Sequence, residues 1–536
     1  MDKKFFITTP IYYANDIPHI GHAYASFICD TYARYKRLFG YEVKFSTGTD
    51  ENSQKILLKA QEKNIPVMDF LDEMASQHKK VRDELEISYT DFIRTTDTKH
   101  KAFVQKVLQK VYDKNLALPE NERDFYQGEY KGLYCVGCES FKKPEDLTPD
   151  GLCPDHLKKP EEIVEKNRFF RLSKYQKKLE DFYEKNADFV IPDHRFNEVK
   201  AFVKGGLEDF SISRETNKFG IPLPFAPDQV TYVWYDALLN YLTVCQNPGQ
   251  EGFRPANYHL LAKDIVRFHA IYRPAMLMSA DYELPNHCLV TGYFTIDGQK
   301  MSKSLGNVIK PIDIINQYSR DTLILYFLYD LIIGNDGDFS RTRLHDMHNS
   351  MLIGGRGNLI SRVTKLSEKN GISSVSLSEK HSTMRPKIGE SYKNNKLLEL
   401  IMTDFSPEIF EKTYLENNNL QTLIKDRYNA VQFCNQFMQD EEPRTKIKNG
   451  NEMEGKADLQ FLLFMIKNLA ILSAPFLTKG FEKIQSILGI AQLQTISTLK
   501  TFSSDSLKEL INLNTFILNL SPENMYERVE LEVKPE

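Results

Sequence analysis

The start of the chain carries the pattern that most narrows what it can fold into. Residues 5–9 are a short apolar, β-branched run that turns at Pro10 and reads as a buried strand. From His19 to Leu38 apolar and aromatic residues recur at helical spacing, and Gly40 follows as a stop. Residues 43–46 make a second strand, running into Thr47-Gly48-Thr49-Asp50. Strand, helix, strand is the opening of a parallel, doubly wound (Rossmann-like) α/β sheet, whose ligands sit at the carboxyl ends of its strands. Residues 10–22 and 48–52 both fall there. Asp50 is therefore a candidate for gripping a ligand's ammonium group, and is equally suited to cap a helix.

The second half of such a sheet is found far downstream. Strands are expected at 230–234, 259–262 and 287–291, with a helix over 236–242. Trp234, Leu238 and Tyr241 share one side of that helix, and Trp234 is the chain's only tryptophan. Two polar motifs flank this sheet pattern. Pro18-His19-Ile20-Gly21-His22 opens the first helix, where imidazoles, a helix N-terminus and close backbone approach at glycine suit a polyphosphate. Lys300-Met301-Ser302-Lys303-Ser304, with Gly306-Asn307 behind it, reads as a mobile polar loop whose two lysines can follow charge that moves during a reaction. A solvated lysine-serine turn is the ordinary alternative. Neither motif is a Walker-type phosphate loop.

At 536 residues the chain is too long for one core, and two to four domains are expected. A net charge of -4 argues against a generally basic nucleic-acid binder but leaves room for a local basic groove. The start has no apolar stretch long enough for a signal peptide, and the longest apolar runs, 323–328 and 461–466, stop well short of the roughly 18 residues a membrane helix needs. Seven cysteines, an odd number, fit a reduced, cytoplasmic protein with thiols free or on a metal.

Cysteine spacing supplies the sharpest local signal. Two residues separate Cys135 from Cys138, and after fourteen more Cys153 and His156 repeat the spacing. Two close pairs with small turn residues between them fit a closed tetrahedral site for one structural zinc, in a knuckle dependent on the metal for its fold. Two unrelated Cys/His pairs are the alternative. From about residue 350 the pattern is helical and indicates a bundle, with polar loops expected at 373–394 and 440–458. Leu352, Leu359, Val363 and Leu366 form its first apolar stripe. Asn358 and Arg362, four apart on an adjacent face, could reach one exposed base together or form a solvated surface.

The two polyphosphate-suited motifs in this order resemble the paired signature of class I aminoacyl-tRNA synthetases. Thr8-Thr9-Pro10-Ile11-Tyr12-Tyr13-Ala14-Asn15, Tyr232-Val233-Trp234-Tyr235-Asp236-Ala237 and Lys263-Asp264-Ile265-Val266-Arg267-Phe268-His269 narrow the resemblance to the methionyl-tRNA synthetase family. It runs, with varying strength, over nearly the whole chain. It implies a catalytic domain split into residues 1–115 and 216–320, an inserted connective domain with the zinc knuckle at 116–215, a linking region at 321–349, and a helical anticodon-binding domain at 350–536. The activity implied is attachment of methionine to tRNA with a CAU anticodon, through methionyl-adenylate. ATP arrives with magnesium. A monomer is expected, since no appended dimerisation domain is evident, and no membrane partner.

The resemblance also implies roles. His19 and His22 would hold phosphates, Lys300 and Lys303 would close over pyrophosphate, and Asp264, with Lys303, would contact ATP. Ile11, Tyr13, Trp234, Ala237, Leu238, Tyr241 and Thr291 would line the methionine pocket, with Asp50 on the ammonium and Arg214 paired with it or bracing the wall. Asn358, Arg362 and Arg444 would read the anticodon. The chain departs from the family's usual pattern at three places: Asn52-Ser53 stands for His-Gly, Thr291 for a histidine at the thioether end, and Pro443-Arg444 for Pro-Trp. These departures leave a class I paralogue of altered specificity as the second reading. A non-enzymatic zinc and RNA-binding protein is the third.

Overall fold

The computed structural model describes residues 3–135, 140–142, 144–154, 157–215, 218–301, 306–377, 395–402, 405–490, 503–513 and 515–530. It divides into two compact units, one comprising Lys4–Pro18 and Lys44–Tyr293, the other Met1–Lys3, His19–Val43 and Phe294–Glu536. Among the described residues no helix is long and apolar enough to cross a membrane.

The first unit is organised by a six-stranded sheet: β1 (Lys4–Tyr13), β2 (Glu42–Asp50), β3 (Asp91–Arg94), β4 (Val190–Ile191), β5 (Tyr258–Ala262) and β6 (His287–Thr291). The strand order is β3-β2-β1-β5-β6-β4. β2 pairs with β3, β1 with β5, β5 with β6 and β6 with β4, all in parallel. Strands covered on both faces need unbroken buried runs rather than alternation. β1 and β2 show this, buried from Phe5 to Pro10 and from Val43 to Asp50. Gly48 is required in β2 because a Cβ there would lie 2.0 Å from the Ile93 carbonyl oxygen on β3.

β1 does not end at Pro10 as expected. The proline lacks only an N–H, and the β1–β5 register pairs Ile7 and Thr8, so Pro10 lies beyond the rungs that bond to β5. Asp50 proves to be the last residue of β2, and the next helix, Gln54–Glu62, takes Ser53 at its cap position. The strand expected at 230–234 is instead Ala226–Thr231, antiparallel to Ser213–Arg214 and Pro222–Leu223. Pairing stops at Thr231, and Val233–Ala237 turns helical, so Trp234 sits in a first helical turn. The helix expected over 236–242 is two short ones, Val233–Ala237 and Asn240–Thr243. The region of the paired cysteines holds a four-stranded antiparallel sheet in which Phe125–Cys135 pairs along Glu161–Phe170, with Ser140–Lys142 and Phe210–Ser211 on its edges.

The second unit is largely helical. Its helices include α1 (Ile20–Leu38), α2 (Arg320–Asp330), α3 (Asn358–Lys369), α4 (Leu420–Asp440), α5 (Pro443–Lys448) and α6 (Glu452–Ile471). α6 is buried nearly all round from Asp458 onward, and α3, α4 and α5 pack on it. Arg320 on α2 ties the unit together, donating from Nη2 to Asp30 of α1 at 3.0 Å and from Nη1 to the Phe476 carbonyl at 2.8 Å. The loop expected over 440–458 is α5 and the start of α6. Its charges pair locally instead of disordering the chain, with Lys446 bonded to Asp458 at 2.7 Å and to Glu441. In the other expected loop, Ser374–Ser376 pairs antiparallel with Thr515–Ile517, while 378–394 fall outside the described residues.

Candidate active site

The sheet order reverses between β1 and β5, and that switch point is where a doubly wound sheet opens a crevice. Five of the expected site residues of this unit lie at strand ends on that side of the sheet. Ile11 and Tyr13 close β1, Asp50 closes β2, Thr291 closes β6, and Asp264 lies exposed in the short turn after β5. The Ala14 N–H donates to the Asp50 carbonyl at 3.1 Å, joining the ends of β1 and β2.

Asp50 is followed by two buried polar residues with structural duties. Glu51 accepts from Arg94 Nε at 2.8 Å, from Thr49 Oγ1 at 2.7 Å and from Thr96 Oγ1. Asn52 donates through Nδ2 to the Thr95 carbonyl at 3.0 Å and to Asp236 Oδ2 at 3.2 Å. The asparagine that departs from the family pattern thus holds the short helix carrying Trp234 and Ala237. Arg214 lies over the Tyr232 ring at 4.1 Å and donates to Ser211 Oγ and the Ser213 carbonyl, bracing the strand before that helix.

The pocket's aromatic wall is built from residues far apart in sequence. Trp234 and Phe268 stack face to face, centroids 3.8 Å apart and planes 1° from parallel. Trp234 Nε1 is buried without a hydrogen-bond partner among the described residues. Tyr241 is buried, and its hydroxyl lies 2.8 Å from His269 Nε2. His269 Nδ1 lies 3.0 Å from the Ile265 carbonyl, which only accepts, so Nδ1 carries the proton and Nε2 accepts from Tyr241. Burial pushes this imidazole down to about 4, with Arg273 as a lesser cause, so it is neutral at pH 7. Behind it, His259 bonds through Nδ1 to Thr8 Oγ1 at 2.8 Å, its ring centre 4.3 Å from that of Tyr241. Thr291 is buried with its hydroxyl 3.4 Å from the Leu261 carbonyl; the imidazole beside Tyr241 comes from position 269. His269, Phe268 and His259 carry this wall without having been singled out from the sequence. His269 lay inside a recognised motif, but no local spacing ties it to Tyr241.

The helical unit holds both motifs expected to meet phosphate. His19 caps α1, accepting from the Gly21 N–H at 3.1 Å through Nδ1, and His22 Nδ1 accepts from the His19 N–H at 3.0 Å. The rings stack at 3.9 Å. Gly21 is needed because a Cβ there would come within 3.0 Å of the His19 ring. Burial lowers His19 to about 4, which keeps it neutral. Lys300 ends a hairpin, Phe294–Ile296 against Gln299–Lys300, closed by Asp297 and Gly298, both at positive φ as a two-residue turn requires. Asp338 fastens the turn, accepting from Gly298 N–H at 2.7 Å and Thr295 Oγ1 at 2.6 Å. Lys303 lies outside the described residues, as does the side chain of Lys300.

Cys135 ends its strand opposite Ser140, and both it and Cys153 are buried. The Cys153 N–H donates to the Lys158 carbonyl and the Leu157 N–H to the Cys153 carbonyl, closing a tight turn. Cys138 and His156 lie outside the described residues, and among the described residues no group of three or more ligands assembles. On α3 and α5, Asn358, Arg362 and Arg444 are all exposed.

The profile described as tRNA synthetases class I (M) matches residues 5–364. A methionine--tRNA ligase of Synechocystis sp. is 37% identical over 507 residues, covering 90% of this chain and 89% of that one. One from Thermosynechococcus vestitus is 44% identical over 378 residues, 69% of this chain and 70% of its own. Among solved structures, Mycobacterium tuberculosis methionyl-tRNA synthetase in complex with methionyl-adenylate superposes with a TM-score of 0.87 at 29% identity, covering 98% of this chain and 100% of that one.

Proposed function

Because the chain belongs to the class I aminoacyl-tRNA synthetases, within the methionine--tRNA ligase family, we propose how its residues share the work of that reaction. The protein is an ATP-dependent methionine–tRNA ligase. The carboxylate of methionine attacks the α-phosphate of ATP, pyrophosphate leaves, and the methionyl group passes from the adenylate to the terminal adenosine of tRNA.

In this reading methionine lies at the switch point. Ile11, Tyr13, Trp234, Ala237, Leu238, Tyr241 and Thr291 surround its side chain, Asp50 takes the ammonium, and Arg214 braces the wall. The observation that carries it is the aromatic pocket with one buried polar pair, Tyr241 and His269: an unbranched, polarizable thioether suits such a slot. Phosphoryl transfer needs charge stabilisation more than acid–base chemistry. His19 and His22 offer Nε2–H donors beside a helix N-terminus, Lys300 and Lys303 supply positive charge, Asp264 holds ATP, and magnesium accompanies the nucleotide.

One structural zinc on Cys135, Cys138, Cys153 and His156 belongs to the same reading. Buried Cys135, at the end of its strand, and buried Cys153, in a hydrogen-bonded turn, fit that donor set. The metal would cross-link two loops of a knuckle within the inserted region, 116–215, that is too small to bury a core of its own. The catalytic domain comprises 1–115 and 216–320, joined through 321–349 to the helices of 350–536. Those helices form the anticodon-binding bundle, where Asn358, Arg362 and Arg444 read CAU. The protein works as a cytoplasmic monomer; the buried thiols of Cys245, Cys288 and Cys434 fit a reducing compartment.

Pyrophosphate exchange on purified protein, run with each of the twenty amino acids, tests this. Exchange dependent on methionine alone is expected. Equal exchange with another amino acid would replace the reading with that of a paralogue of altered specificity.

A further inference from the structure

We propose that Arg273 is a positioning residue for methionine selection, holding Tyr241 and the adjoining turn in place from behind the pocket. The inference rests on the reading of the Trp234–Tyr241 region as the amino-acid site.

Arg273 opens the helix Arg273–Ser279 and is only 3% exposed. A buried guanidinium is expected to meet a carboxylate, because an unpaired buried charge is costly. Among the described residues none forms an ion pair with it. Its contacts go instead to the pocket. Nε donates to the Leu238 carbonyl at 3.1 Å, and the guanidinium carbon lies 5.0 Å from the centre of the Tyr241 ring. Nη1 is buried without a hydrogen-bond partner. The Leu238 carbonyl lies between Val233–Ala237 and Asn240–Thr243, the two short helices that carry Trp234, Ala237 and Tyr241. One donor therefore fixes the junction on which three pocket residues depend.

The Tyr241 ring is buried, and on this side the Arg273 guanidinium itself packs against it. A void of only about 10 Å³ remains among Tyr241, Arg273, Phe6, Leu242, Arg254 and Ala256, so shortening the side chain at 273 would open space beside the ring. The cation under the ring fills that side of it. Its charge also faces two imidazoles of the same cluster. It reinforces burial in keeping His259 and His269 neutral. A neutral His269 with its proton on Nδ1 can only accept from Tyr241, which fixes the direction of the one tyrosine hydroxyl bonded within this wall. Methionine and norleucine differ only by sulfur against methylene, so their separation depends on how firmly that ring and hydroxyl are held.

Pyrophosphate exchange with methionine and with norleucine tests the proposal on R273K, R273Q and R273M. R273Q and R273M should raise the KM for methionine about ten-fold and shrink the methionine-to-norleucine ratio, with kcat and the KM for ATP within about three-fold of the unaltered protein. R273K, which keeps a cation under the ring, should recover most of both losses. If R273M does not fold, the comparison of R273Q with R273K decides. Unchanged methionine KM and ratio in the folded variants would overturn the proposal. So would kcat and both KM values moving together, since that marks a merely structural residue. Absence of methionine-dependent exchange in the unaltered protein would instead overturn the pocket reading beneath it.

Discussion

His22 Nδ1 accepts the backbone N–H of His19 at 3.0 Å, while His19 Nδ1 accepts the N–H of Gly21 at 3.1 Å. A ring nitrogen that accepts carries no proton, so each neutral imidazole bears its proton on Nε2. The start of α1 is thereby capped by two neutral donors, with no acidic residue in its first turn. An Asp or Glu cap would have satisfied the same backbone groups and repelled a phosphate. The histidines cap the helix and keep its end attractive to an anion.

His22→Ala should therefore remove a phosphate donor and a cap acceptor together. We expect adenylate formation to slow by on the order of 3 kcal/mol of transition-state stabilisation, roughly a hundred-fold or more. The KM for methionine should stay close to its original value. Steady-state pyrophosphate exchange checks both, and an equal loss in both would assign His22 to folding alone.

Three imidazoles predict how stability follows pH. Burial lowers His100 to about 3 and His269 and His19 to about 4, against an ordinary 6.5. Between those values the unfolded chain binds more protons than the folded protein. The contribution is fully present above 6.5 and is lost as pH falls toward 4 and below. Urea midpoints should drop on going from neutral pH to about pH 5, and His100→Gln should flatten that drop. His100 bonds to Thr243 Oγ1 at 2.9 Å, and no ligand contact is assigned to it.

Arg362→Ala concerns the helical unit alone. Asn358 and Arg362 are exposed one turn apart on α3. The variant should sharply raise the KM for CAU-bearing tRNA, as expected for losing about 1–3 kcal/mol of base contact. Methionine activation should be unchanged. Aminoacylation of tRNA altered at the first anticodon letter is the check, and an unchanged preference would make this face an ordinary solvated one.

Elemental analysis should find one zinc per chain, and Cys135→Ser should lower occupancy and destabilise the inserted region. Full zinc occupancy in that variant would remove Cys135 from the ligand set.

Strands buried on both faces were legible because burial forces continuous apolar runs, and residues 5–9, 43–46 and 287–291 carry them. What misled lies at boundaries. Thr231 and Trp234 sit in one apolar run, but the strand partner ends at Ser213, and no local signal marks that. The charged stretch 440–458 reads as loop until Lys446 is seen bonded to Asp458. The pocket's outer members were legible through motifs. His269 and Arg273 were not assigned, because their partners Tyr241 and Leu238 are about thirty residues away and meet them only in the folded unit. Asn52 stood out as a departure, and only its bond to Asp236 explains what an amide does there.

The face-to-face stack of Trp234 on Phe268 has an optical consequence. Trp234 is the chain's single tryptophan, so all indole emission of the protein originates at one wall of the proposed amino-acid site. Its N–H, unpartnered and shielded from solvent, makes that emission responsive to any polar group or water entering beside it. Ligand arrival, product departure and the rates of both can be followed on unlabelled protein, with no second fluorophore of the same kind to dilute the signal.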